Sequence, residues 1–267
     1  MDKAILEAMV EAALAAGRRI AEIYAQDFSS AAKADGTPVT IADHEAEAII
    51  EARLAPFGLP FLGEERVASG AIPELGDRFF CVDPLDGTKE FIKKNGEFTV
   101  NIGLVEKQRA VAGVILAPAR EKIWGGAAGG AWMAEVHGIG AYERRSIAVQ
   151  TSRSPKVVAS RSHGHAALQS LMDAFGATEN LSVGSALKFG LLAEGTAQLY
   201  PRLTPTAEWD TAAGQAILEA AGGAMLSIDG EPMRYGKRLE SFINPMFVAA
   251  SDLALARACA ARMRALV

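Results

Sequence analysis

Asp83-Pro84-Leu85-Asp86-Gly87-Thr88 directly follows the apolar run Phe79 to Val82. Pro84 fixes φ and brings no N–H, and Gly87 permits a tight turn, so the carboxylates of Asp83 and Asp86 can converge on one point. Carboxylate oxygens with a main-chain carbonyl between them, here that of Leu85, suit a hard cation such as magnesium. That ion takes oxygen ligands in an octahedral shell completed by water and phosphate. Thr88 is placed to cap a short helix through Phe91, whose free N–H groups would face a bound phosphate. The same residue types also make ordinary turns. Two further acidic clusters favour the metal reading: Glu64-Glu65 after Phe61-Leu62-Gly63, and Asp210 in Trp209-Asp210-Thr211-Ala212-Ala213-Gly214. Each alone is equally a solvated acid or a helix cap. Together they supply the remaining carboxylates for a site of two or three metal ions.

The elements that must position these residues follow from hydrophobic period. Leu6, Met9, Val10, Ala13, Ile20 and Ile23 predict an amphipathic helix over residues 3 to 25, and a second helix is expected over 41 to 54. Lys33, Asp35, Gly36 and Pro38 mark a turn between them. Residues 79–82, 98–105, 110–117, 123–127 and 130–134 read as strands of a mainly antiparallel sheet. Beyond residue 155, strands at 157–160 and 197–200 alternate with helices near 166–175, from Ser185 and from Thr211, and a further Ala-rich helix is expected over 252–266. An α+β half, residues 1–148, is therefore expected to pack against an α/β half, residues 149–267, which contributes Asp210 and substrate contacts.

Half of the 267 residues are apolar, enough for a large core, and the formal charge of −5 argues against binding nucleic-acid polymers. The two cysteines and four histidines show no zinc spacing. Cys81, inside an apolar strand with no cysteine-phosphatase loop around it, reads as a core residue. The acidic start and the lack of a long apolar run predict neither a signal peptide nor a transmembrane segment. A cytoplasmic protein is expected, with peripheral contact at the inner membrane left open. Arg161, His163, Lys188 and Arg202 are candidates to bind a second anionic group, each equally able to be a surface or structural residue, while Lys93 and Lys94 read as a solvated helix face.

The Asp83–Thr88 motif, with Glu64-Glu65 upstream and Trp209-Asp210 downstream, resembles the inositol monophosphatase superfamily of lithium-sensitive, magnesium-dependent phosphatases. Within it, Gly87 to Ile102, Ser160-Arg161-Ser162-His163 and Leu199-Tyr200-Pro201-Arg202 resemble the bacterial 3'(2'),5'-bisphosphate nucleotidases of the CysQ type. The resemblance covers roughly residues 10 to 250 and implies a layered αβαβα sandwich. It implies one magnesium ion held by Glu64, Asp83 and the Leu85 carbonyl, a second held by Asp83, Asp86 and Asp210, and Asp43 working with Thr88 to orient the attacking water. Glu64, Leu85, Asp86, Gly87, Thr88 and Asp210 would face the substrate's phosphate, and Arg161, His163, Ser185, Lys188 and Arg202 the rest of it. The implied substrate is a small nucleotide bisphosphate, adenosine 3',5'-bisphosphate (PAP), and extension to its sulfated form (PAPS) and a place in sulfur metabolism come with it. An inositol or other sugar monophosphatase shares every metal ligand and is the alternative, ahead of a catalytically dead metal-binding regulator. Gly63 and Ala186 stand where the family pattern leads one to expect Ser.

Overall fold

Helix α1 (Lys3–Tyr24) buries Ile5, Met9, Val10, Ala13, Ile20 and Ile23 along one face, as the period predicts. The computed structural model describes residues 3–33, 36–137, 142–160 and 167–266. The expected turn after α1 contains a small antiparallel pair, β1 (Ser30–Ala32) and β2 (Pro38–Thr40). Thr40 then caps α2 (Ile41–Leu54). Its hydroxyl accepts from the Ala42 N–H, and Asp43 reaches back to the Thr40 N–H in a reciprocal capping box.

Next come β3 (Phe61–Gly63), α3 (Glu64–Ala68), β4 (Arg78–Asp86), α4 (Thr88–Ile92), β5 (Thr99–Glu106), β6 (Arg109–Ala117), β7 (Lys122–Ala127), β8 (Gly130–Glu135) and β9 (Arg145–Ile147). Strands β3 to β9 form one sheet in sequence order, antiparallel except that β3 runs parallel to β4. The later chain supplies β10 (Val157–Ser160), α5 (Ala167–Ala174), β11 (Asn180–Val183), α6 (Leu187–Ala193), β12 (Leu199–Arg202), β13 (Thr206–Ala207), α7 (Ala212–Ala220), β14 (Ala224–Ser227), β15 (Ile243–Asn244), β16 (Phe247–Ala250) and α8 (Leu253–Arg264). The second sheet has the order β11-β10-β12-β16-β14. It is parallel at β11-β10-β12 and antiparallel on both sides of β16, so it is mixed.

The layers follow from which faces bury apolar side chains. One core cluster joins α1 and α2 to Phe80, Val82, Ile102 and Val114 on the outer face of the first sheet. A second joins the opposite face, through Cys81 and Ile115, to α6 and α7 and on to Tyr200, Phe247 and Ala249 of the second sheet. A third lies between that sheet and α5 and α8. This is the five-layer αβαβα sandwich. Because both faces of the first sheet are covered, its strands read as continuous apolar runs instead of alternating ones.

Close approach of α7 depends on glycine. Gly103 pairs with Gly113 and Gly113 with Gly126 across β5, β6 and β7. A Cβ on Gly113 would lie 2.2 Å from the Ala213 carbonyl oxygen, and one on Gly126 would lie 2.8 Å from the Ile217 Cα. The bare stripe seats the helix that follows Asp210 directly on the sheet that carries Asp83 and Asp86.

Candidate active site

Strand β4 does not end before the Asp-Pro step, as expected, but runs on to Asp86. Asp83 pairs with Asn101 and Asp86 with Thr99, and the intervening Pro84 and Leu85 form a bulge. A bulge tolerates Pro84, because the extra residues make no ladder bond, and it turns both carboxylates toward one region. The Leu85 N–H donates to Asp83 Oδ1 at 3.0 Å, closing the turn. Gly87 follows with φ 95°, and a Cβ there would sit 2.9 Å from the Glu97 carbonyl oxygen.

Thr88 does not cap α4 as expected. Gly87 occupies the N-cap position of α4, with no side-chain cap. The Thr88 hydroxyl instead donates to Asp43 Oδ1 at 3.0 Å and lies 3.2 Å from the Leu85 carbonyl oxygen. Asp43 is buried, and its other oxygen accepts from the Thr40 N–H and the Thr40 hydroxyl, both at 2.8 Å. Burial pushes the Asp43 carboxyl upward, and its three hydrogen bonds oppose that shift.

Glu64, Asp86 and Asp210 line one cleft together with Gly87, Thr88, Ser185, Lys188, Tyr200 and Arg202. Asp83 lies beneath it, 2% exposed. Burial and the repulsion of Glu64, Asp86 and Asp210 push Asp83 well above the carboxylate range. Burial lifts Asp86 to about 6, moderated by Lys188 and by Asn101, whose amide donates to Asp86 Oδ2 at 3.3 Å. Burial, with Asp86 and Glu64 nearby, lifts Asp210 to about 8, although its Oδ2 accepts the Ala207 N–H at 3.0 Å. These acids sense one another strongly, the situation in which a bound cation is most favourable.

Lys188, in the first turn of α6, is a buried counter-charge and not a free arm. It is 4% exposed, and its ammonium donates to the Ser185 carbonyl at 2.5 Å. Burial lowers it to about 8, against the pull of Asp86. Arg202 is similarly tied, donating to the Thr204 and Pro205 carbonyls at 3.2 and 3.4 Å. Ser185 sits at φ 48°, and its buried Oγ has no hydrogen-bond partner within the protein. Arg161 and His163 lie outside the described residues. Lys93 and Lys94 are exposed, as expected, although they lie past the end of α4, and the Lys94 ammonium sits 4.8 Å from the Tyr24 ring centre and 4.7 Å from that of Phe28. Cys81 is fully buried, and its thiol is pushed upward by burial, as a core residue should be.

Several residues of the site were missed in sequence. Lys33 carries only a turn signal in sequence, yet its ammonium donates to Glu64 at 2.6 Å and to Glu65 at 2.5 Å. Burial opposes its charge, and the two glutamates outweigh burial and raise it. Asn101, a lone amide in an apolar strand, carried a usable signal, since a fully buried polar side chain needs a partner. The departures at Gly63 and Ala186 also become legible. Ala186 contributes its backbone N–H to Asp86. A Cβ on Gly63 would meet Glu47 Oε2 at 2.4 Å.

Every predicted ligand is an oxygen donor, and Asn101 Oδ1 is a further buried oxygen without a hydrogen-bond partner. That chemistry fits a hard divalent cation and does not fit a thiophilic one. Among the described residues, no three His, Cys, Asp or Glu side chains are gathered closely enough to enclose an ion in this arrangement. Also among them, no helix is long and apolar enough to cross a membrane.

The CysQ 3'(2'),5'-bisphosphate nucleotidase of Escherichia coli K12 is 42% identical over 247 residues, spanning 91% of this chain and 98% of that protein. Its Salmonella typhimurium counterpart is 44% identical over the same shares. The crystal structure of CysQ from Bacteroides thetaiotaomicron, a bacterial member of the inositol monophosphatase family, superposes with a TM-score of 0.77 at 38% identity, covering 92% of this chain and 96% of that one. The inositol monophosphatase of Anabaena shares the fold, with a TM-score of 0.75 at 24% identity and coverage of 99% and 96%. The family model described as "Inositol monophosphatase family" matches residues 1–263, and the chain belongs to that family.

Proposed function

We propose that the protein is a magnesium-assisted phosphomonoesterase that hydrolyses the 3'-phosphate of PAP to give AMP and phosphate. The observation that carries this reading is the single cleft in which Glu64, Asp86 and Asp210 stand with Lys188 and Arg202. Acids that hold cations serve the phosphate to be cleaved, and fixed cations beyond them suit a substrate that carries a second phosphate. The names of the CysQ relatives support the same choice over inositol phosphate, which offers hydroxyls where PAP has a second charge.

Glu64, Asp83, Asp86, Asp210 and the Leu85 carbonyl would hold two or three magnesium ions, which supply charge neutralisation at the phosphoryl oxygens and a water of lowered pKa. The chain's own groups set the direction of attack. Asp43, fixed by both groups of Thr40, accepts the hydrogen bond that the Thr88 hydroxyl donates, so the Thr88 oxygen presents its lone pairs to a water and orients it. No nucleophilic side chain and no covalent intermediate are required. Lys188, Arg202 and the unpartnered Ser185 hydroxyl are the described groups for the nucleotide portion, and Arg161 and His163 join them in this reading. PAPS, which bears the same 3'-phosphate, is a second substrate of the proposal, and its setting is PAP recycling in sulfur assimilation. Two buried free cysteines fit a reducing cytoplasm.

Phosphate release from PAP, AMP and inositol 1-phosphate, each with and without magnesium, tests the proposal. Magnesium-dependent release with PAP strongly preferred is expected. Preference for inositol 1-phosphate would reject the nucleotidase reading and leave a sugar monophosphatase.

A further inference from the structure

Glu64 is the first residue of α3, a helix with no cap of its own, because its N-cap residue is Gly63. The cap comes from another helix. Glu47 on α2 is 5% exposed and turns its carboxylate onto the start of α3, where Oε2 accepts the Glu65 N–H and Oε1 the Arg66 N–H, both at 2.9 Å. This two-pronged acceptor satisfies the two N–H groups that a Ser or Asp at the N-cap position would otherwise serve.

The two devices exclude each other sterically. A Cβ at position 63 would lie 2.4 Å from Glu47 Oε2 and 2.7 Å from its Cδ, with the edge of the Phe61 ring at 2.6 Å. A carboxylate reaching the helix start therefore requires glycine at the cap, and a side chain at the cap requires the carboxylate to leave and the Phe61 ring edge to turn into the space it vacates. We propose that Glu47 and Gly63 form a coupled pair that positions Glu64 in the cleft, with Glu47 acting as a positioning residue for the metal site. Lys33 draws on Glu64 from its other end, so the backbone cap is what fixes where that carboxylate begins.

The proposal rests on the reading of Glu64 as a magnesium ligand, and the test separates the two. Magnesium binding to chelator-stripped protein is measured by calorimetry, with folding checked by circular dichroism and melting. Glu64→Gln is the control for the ligand reading and should abolish one binding event. Glu47→Ala should weaken magnesium binding about tenfold in a folded protein, and Glu47→Gln, which keeps the volume and one acceptor, should weaken it less. Gly63→Ser alone should also weaken it, because Ser is forced against the carboxylate. The deciding variant is Gly63→Ser with Glu47→Ala, in which the serine hydroxyl can cap the helix in the space the carboxylate leaves. It should bind magnesium more tightly than either single variant. A double variant weaker than both singles, or Glu47→Ala with unchanged affinity while Glu64→Gln has lost its binding event, overturns the coupled pair. Unchanged binding in Glu64→Gln overturns the ligand reading and the positioning role with it.

Discussion

Replacing Asp86 by Asn should make the metal-free protein more stable while removing its response to magnesium. Asp86 ionises near 3.8 in the unfolded chain and about 6 in the fold, with burial as the main cause. A carboxyl raised in this way favours the folded state while it holds its proton. That contribution is complete below the unfolded value and is lost as pH rises through the folded one. At pH 8 the ionised group therefore costs roughly two pH units of proton affinity, about 3 kcal/mol. Asn keeps an acceptor for the Asn101 amide and the Ala186 N–H but carries no charge. Lys188 loses its partner in exchange, which cancels part of the gain. At about 2–4 °C per kcal/mol for a chain of this size, a rise of several degrees in melting temperature is expected at pH 8 and a smaller one at pH 5. The assay is differential scanning calorimetry of chelator-treated protein, repeated with magnesium. Magnesium should raise the melting point of the natural chain and leave Asp86→Asn nearly unmoved, and phosphate release by the variant should fall by orders of magnitude. A variant that melts lower than the natural chain at pH 8, or that responds equally to magnesium, would refute the reasoning.

The natural chain without metal should itself lose stability between pH 5 and pH 8.5, because the folded values of Asp86 and Asp210, about 6 and about 8, both lie above the usual carboxylate range. Each proton changes the folding constant up to tenfold per pH unit, and a melting temperature that is flat across this window counts against the buried acid cluster. Gly87→Ala places a side chain at φ 95° and 2.9 Å from a carbonyl oxygen, so urea unfolding should show a loss of at least about 1–2 kcal/mol together with reduced turnover. Arg161→Ala and Arg202→Ala should each lower kcat/KM on PAP by about ten to a hundredfold and change hydrolysis of inositol 1-phosphate much less. Equal losses on both substrates would remove these residues from substrate selection.

The helices and central strands were legible because their signals are local. Apolar period marked α1, the helix expected over 41 to 54 is α2, and the runs at 110–117 and 123–127 each begin one residue inside β6 and β7. The cluster Asp83, Leu85, Asp86 was legible because Pro and Gly restrict its turn so tightly. What escaped depends on tertiary pairing. The three-residue β3 has meaning only beside β4, and the two-residue β13 and β15 only beside each other. Thr88 has the sequence of a helix cap, and although the family resemblance pairs it with Asp43, the residue types alone do not show that pairing, which depends on α2 lying across the bulge. Lys33 and Lys188 are exposed types by composition, and their burial depends on acids that lie far away in sequence.

The fold brings distant acids together by two different means. Asp83 and Asp86 share one short segment, and a bulge is enough to direct both. Asp210 lies in the other half of the chain, and its position is inherited from α7, which begins two residues later. That helix rests on the glycine stripe of β5, β6 and β7, so adding a methyl group to Gly113 would force the helix outward and draw Asp210 away from Asp86. Gly113→Ala should therefore reduce magnesium affinity although residue 113 touches no ligand. Calorimetric magnesium titration of the folded variant measures this. An affinity equal to that of the natural chain would mean that the Asp210 segment is held from elsewhere, through the Ala207 to Ile243 pairing and the Asn244 amide bond to the Ala207 carbonyl.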